Sequence, residues 1–131
     1  MKVLQPPGWA APRGYANGVM VSGVQVFVAG QIGWNAACQF ESDDLVAQTR
    51  QALVNVTAVL AQAGAMPAHI TRMTWYVTDK REYLARGKEI GAAFRELVGS
   101  YAIAMTAVQV VALMEDRAKV EIEVTAVLPS T

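Results

Sequence analysis

The chain has 131 residues and a mass of 14.1 kDa, enough for one domain, residues 1–131, around one core. Eleven Lys and Arg balance eleven Asp and Glu, so neither nucleic acid nor an acidic membrane surface is the default partner. An apolar fraction of 53% beside 17% charged residues excludes disorder and implies extra buried surface, while single Cys38 and single His69 leave neither an intrachain disulfide nor a Cys/His zinc cluster.

In chain order, Met1-Lys2-Val3-Leu4-Gln5 meets Pro6-Pro7 before an apolar signal core can form, which makes a cytoplasmic protein the expectation. Residues 15–40 carry no charge, but Asn17, Ser22, Gln25, Gln31, Asn35 and recurring glycines argue for strands rather than a membrane span. Val19 and Val21, then Val24, Val26 and Val28, alternate about Ser22-Gly23 and predict a β-hairpin. Gly30-Gln31-Ile32-Gly33 then leaves the second strand through two glycines. They mark either a bulge or a backbone wall against which a ligand rests.

Ser42 as N-cap, acidic Asp43 and Asp44, and apolar residues at helical spacing from Leu45 to Ala63 predict an amphipathic helix over residues 43–63, stopped by Gly64 and Pro67. A strand follows from Ile70 to Thr78, with Met73, Trp75 and Val77 on one face and Arg72, Thr74 and Tyr76 on the other. Asp79 and Glu82 resemble a capping box, opening a second helix over residues 80–98. Gly87 and Gly91 weaken that helix, and close packing against the sheet is the expected compensation.

Residues 104–113 and 118–128 are strand-like about the turn Glu115-Asp116-Arg117 and predict a second hairpin. In the last strand Val120, Ile122, Val124 and Ala126 share a face opposite Lys119, Glu121, Glu123 and Thr125. The class is α+β. Strands 24–29 and 104–113 are apolar on both sides, so self-association burying Phe27, Met105, Ala107 and Val111 is expected, with small-molecule clefts between subunits.

Gly14-Tyr15, Val28-Ala29-Gly30-Gln31-Ile32, Gln48-Thr49-Arg50-Gln51 with Asn55, Val77-Thr78-Asp79, Val108-Gln109-Val110 and Val120-Glu121-Ile122-Glu123, in this order, resemble the YjgF/RidA family from about residue 14 to 127. The resemblance implies a chorismate-mutase-like mixed sheet with two helices on one face, assembled as a homotrimeric barrel with clefts between subunits. It implies hydrolysis of short-lived enamines and imines to a carbonyl product and ammonia, without a cofactor. Tyr15 would then supply a hydroxyl, Gly30 and Gln31 a backbone wall, and Glu121 a carboxylate that activates water.

Where the family carries a carboxylate-binding arginine this chain reads Ile103-Ala104-Met105-Thr106, so Met105 and Thr106 occupy the substrate-binding segment without a charge. Gly87 replaces a family asparagine and Met114 a proline. Arg13, beside Tyr15, and Arg72 are the sequence's candidates for a replacement clamp. From the strand pattern alone Glu121 is a solvated carboxylate beside Glu123, Trp34 and Trp75 are packing residues, Cys38 is an unreactive loop thiol, and His69 is a boundary residue. Two functions follow: an imine or enamine hydrolase with altered substrate choice, or a trimer that binds a small molecule without turning it over. The ribonuclease activity also associated with the family fits poorly with zero net charge and the lack of a basic cluster.

Overall fold

The computed structural model describes residues 1–99 and 102–130 and runs β1 (Lys2–Leu4), β2 (Gly18–Met20), β3 (Val24–Ile32), α1 (Leu45–Gln62), β4 (Ile70–Val77), α2 (Lys80–Ala85), α3 (Gly87–Leu97), β5 (Ala104–Gln109) and β6 (Val120–Leu128). A single 3₁₀ turn, Pro67–His69, leads into β4. The main sheet has the order β3-β6-β4-β5, with β4 and β5 parallel and the other neighbours antiparallel. This is the mixed α+β arrangement expected from the element order. No helix among the described residues is long and apolar enough to cross a membrane.

The core lies between α1, α3 and one face of this sheet. Leu53, Val56 and Leu60 of α1 pack with Ile70, Met73 and Trp75 of β4 and Val120 and Ile122 of β6, all shielded from solvent. The α1 stripe read from the sequence is this buried face, while the cap shifts by two residues. Asp44, rather than Ser42, accepts from the Ala47 N–H at 3.0 Å, and the Ser42 hydroxyl oxygen accepts from the Asp44 N–H at 3.0 Å.

Neither predicted hairpin forms. β2 pairs with β1, and Gly23 is pressed so closely onto β6 that a Cβ there would lie 2.0 Å from the Leu128 carbonyl oxygen. The chain is thereby delivered into the β3–β6 ladder, which begins at Val24 and Leu128. β5 and β6 are likewise separated by β4. Helices α2 and α3 bring the chain back parallel to β4, and residues 110–119 then cross to the far side of that strand. Alternation marks residues that can form strands, but the covering helices select the partners.

The parallel register also corrects which residues face outward. Met105 and Ala107 pair with Met73 and Trp75 and share their helix-covered side. The second face carries Phe27, Arg72, Thr74, Tyr76, Thr106, Val108, Glu121, Glu123 and Thr125, and Phe27 is 71% exposed. It is mixed in polarity rather than apolar throughout.

The predicted second helix breaks at Arg86, which caps both α2 and α3. Its guanidinium holds Asp44 at 2.8 Å and Glu89 at 2.8 Å, joining the break to the start of α1. Close packing does not explain the glycines that follow: a Cβ on Gly87 would meet nothing within 4 Å, and one on Gly91 would meet only Arg95.

Candidate functional site

Tyr15 is positioned by a rung added to the sheet edge. The Ala16 N–H donates to the Ile103 carbonyl at 2.8 Å, and Ala16 bridges Ala104 in parallel orientation. This sets Gly14-Tyr15 at the end of β5, where Tyr15 and Met105 line one cleft of about 490 Å³. Trp75 lies in its wall, Tyr83 and Leu84 come from α2, and Ile90, Phe94 and Arg95 come from α3, with Gly87 and Gly91 between them. The Trp75 ring meets Tyr83 edge-on at 6.3 Å and Phe94 at 6.4 Å. Burial pushes the Tyr83 phenol above its ordinary value, keeping the hydroxyl protonated in neutral solution. The cleft is an apolar, aromatic recess opening at the sheet edge.

Glu121 lies elsewhere. It projects from β6 onto the uncovered face, opposite Tyr76 of β4. Tyr76 donates to Glu123 Oε1 at 2.6 Å, and that bond raises the phenol's pKa, so the neighbouring carboxylate takes the tyrosine's hydrogen bond. Among the described residues no side chain pairs with Glu121. Its carboxylate rests over Gly30, where a Cβ would come within 2.5 Å of Oε2. The β3 register shifts between Val28 and Gln31, so the glycine read as a bulge or a wall stands in a bulge, and its missing side chain makes room for Glu121. Gln31 Nε2 donates to the Ala29 carbonyl within the same irregularity at 3.0 Å.

The sequence-derived residues therefore divide between two surfaces. Tyr15 and Met105 share the cleft on the helix side, whereas Gly30, Glu121, Arg72 and Thr106 belong to the open face. Arg13 and Arg72 are exposed and contribute nothing to the cleft lining. The basic side chain that does line the cleft is Arg95, which sequence reasoning missed. A signal was present: Gly87, Gly91 and Arg95 recur at four-residue spacing, placing two missing side chains and one guanidinium on the same helix face.

Other motif residues support the frame. Buried Gln48 donates to the carbonyls of Ser42 and Arg117 at 3.1 and 2.9 Å and accepts from the Lys119 N–H at 2.8 Å. Asn55 Nδ2 ties the exit of β3 to α1 through the carbonyls of Ile32 and Trp34, at 3.1 and 2.8 Å. Gly33 permits that approach, since a Cβ there would lie 2.6 Å from the Gln48 Cα. Trp34 packs on Phe40, over which the Arg117 guanidinium sits at 5.4 Å. His69 Nδ1 accepts from the Met66 N–H at 2.9 Å, and Cys38 is exposed in the loop before α1.

Comparison with known proteins places this geometry in a recognised group. The family model described as Endoribonuclease L-PSP matches residues 8–128. A RutC family protein of Pasteurella multocida is 35% identical over 105 residues, covering 80% of this chain and 81% of that protein. A 2-iminobutanoate/2-iminopropanoate deaminase of Salmonella typhimurium is 33% identical over 118 residues, 90% of each chain. The crystal structure of YyfB from Yersinia pestis, a Rid family protein of unknown function, superposes with a TM-score of 0.82 at 34% identity, covering 97% of this chain and 98% of that one.

Proposed function

The chain belongs to the endoribonuclease L-PSP family, also called YjgF/RidA, and from that membership we propose that it hydrolyses a small imine or enamine to a carbonyl compound and ammonia. The observation that carries the reading is the Glu121 carboxylate, without a side-chain partner among the described residues and seated over Gly30, where any larger residue would collide with it. An enamine is first protonated at carbon to give its imine. Glu121 then takes a proton from water as the oxygen attacks the imine carbon. The C–N bond breaks after the nitrogen has been protonated, and the products are a C=O group and ammonia.

In this reading the two surfaces of the protomer are halves of one site. Three copies close around their open sheet faces, and each Glu121 meets the Tyr15–Met105 cleft of a neighbour. The sheet stands between these residues within one chain, so the assembly supplies the proximity that hydrolysis requires. Met105 in place of the family arginine makes the recess apolar and shifts substrate choice away from the smallest imino acids.

Ammonia release from a panel of imines generated in situ tests the activity. Glu121→Ala is expected to lower kcat at least 100-fold, while Cys38→Ala retains the wild-type rate. No turnover across the panel by a folded protein would reject the hydrolase. The uncharged Met105 favours a second reading, a trimer that binds its small molecule without consuming it. A ligand that raises Tm and is recovered intact would support that alternative.

A further inference from the structure

The cleft is apolar on most sides, and one charged donor in its lining, Arg95, has no partner among the described residues. Arg50, Arg86 and Arg117 each hold a carboxylate, but Arg95 makes no ion pair or hydrogen bond there. Its guanidinium folds back over α3, with Nη1 3.3 Å from where a Cβ on Gly91 would stand. Gly91 thus lets the charge lie along the cleft, and Gly87 leaves open space one turn earlier.

The recess beside it is built from Trp75, Tyr83, Ile90 and Phe94, and Trp75 is only 1% exposed. A guanidinium fork and an aromatic recess together define a ligand with one anionic end and one apolar end.

We propose that Arg95 is the anion anchor of this cleft and that the cleft takes a small 2-imino or 2-keto carboxylate bearing a bulky apolar or aromatic side group. The carboxylate accepts from the Arg95 guanidinium, and the side group rests among Tyr83, Ile90, Phe94 and Met105 against the Trp75 wall. Arg95 on α3 then takes over, from a different element, the role that Met105 on β5 cannot perform. The assignment of an imino acid as substrate rests on the proposed hydrolysis; the binding assignment does not require turnover.

The test is calorimetric titration of the full chain with phenylpyruvate, with pyruvate, and with phenylacetone, in which a methyl group replaces the carboxylate. The wild type is expected to prefer phenylpyruvate to both others. Arg95→Gln should weaken phenylpyruvate at least tenfold and leave phenylacetone unchanged, while Arg95→Lys should restore part of the loss. Phenylpyruvate should also shift the Trp75 indole N–H resonance. Failure of phenylpyruvate to bind the wild type, or equal binding by the wild type and Arg95→Gln, would overturn the anchor. Binding as expected without ammonia release from any imine would sustain the anchor and reject the hydrolase. Ammonia release unaffected by Arg95→Gln would reject the anchor and sustain the hydrolase.

Discussion

Arg86 shows how one side chain joins two helices and sets an acid limit on stability. Its guanidinium holds Asp44 below its ordinary 3.8, with the Ala47 N–H assisting, and lowers Glu89 from its ordinary 4.5. The unfolded chain therefore takes up protons at these carboxyls before the folded chain does. Their stabilising contribution is complete above about pH 5 and is lost as the pH falls through the lowered folded values. Arg86→Met should be less stable than wild type at neutral pH, with the difference shrinking toward pH 2–3, as urea unfolding at both extremes would measure. The break in β3 at Gly30 is legible in the sequence, because a glycine at the end of a strand marks a bulge or a close approach. That Arg95 lines the cleft is not, because it depends on where α3 packs.

At the scale of elements, α3 carries the clearest conflict between local preference and position. Glycine is a poor helix former, yet no packing requirement holds it at residue 87, where a Cβ would enter open space. Gly87→Ala should therefore raise stability by about 0.5 kcal/mol in chemical unfolding. It should also narrow the cleft and weaken the binding of bulky ligands, since residue 87 lines it. A stability gain combined with a binding loss would identify the glycine as a cleft residue rather than a packing residue. The α1 and β4 patterns were readable because each has one long buried face. The hairpins were misread because an alternating segment does not specify its neighbour: β6 inserts between β3 and β4, and β4 between β6 and β5.

For the whole molecule, the proposed shared site depends on the uncovered sheet face. Phe27 stands on it 71% exposed, close to the β6 strand that carries Glu121. If trimer formation covers this face, Phe27→Asp should place a charge in the contact and convert the trimer to monomer in sedimentation velocity, with the far-ultraviolet circular dichroism unchanged. Hydrolysis should fall with it. A wild-type protein that sediments as a monomer at micromolar concentration would contradict the shared-site arrangement.

The α+β class, the buried faces of α1, β4 and β6, and the family are legible in the chain alone, because periodic apolar residues and ordered motifs are local properties. The parallel run of β4 and β5, the turn of Met105 toward the helices, and the placement of Tyr15 and Glu121 on opposite sides of the sheet emerge with the fold. Those outcomes depend on which strand each segment pairs with. A register or neighbour change reverses the direction of a side chain without altering a single residue.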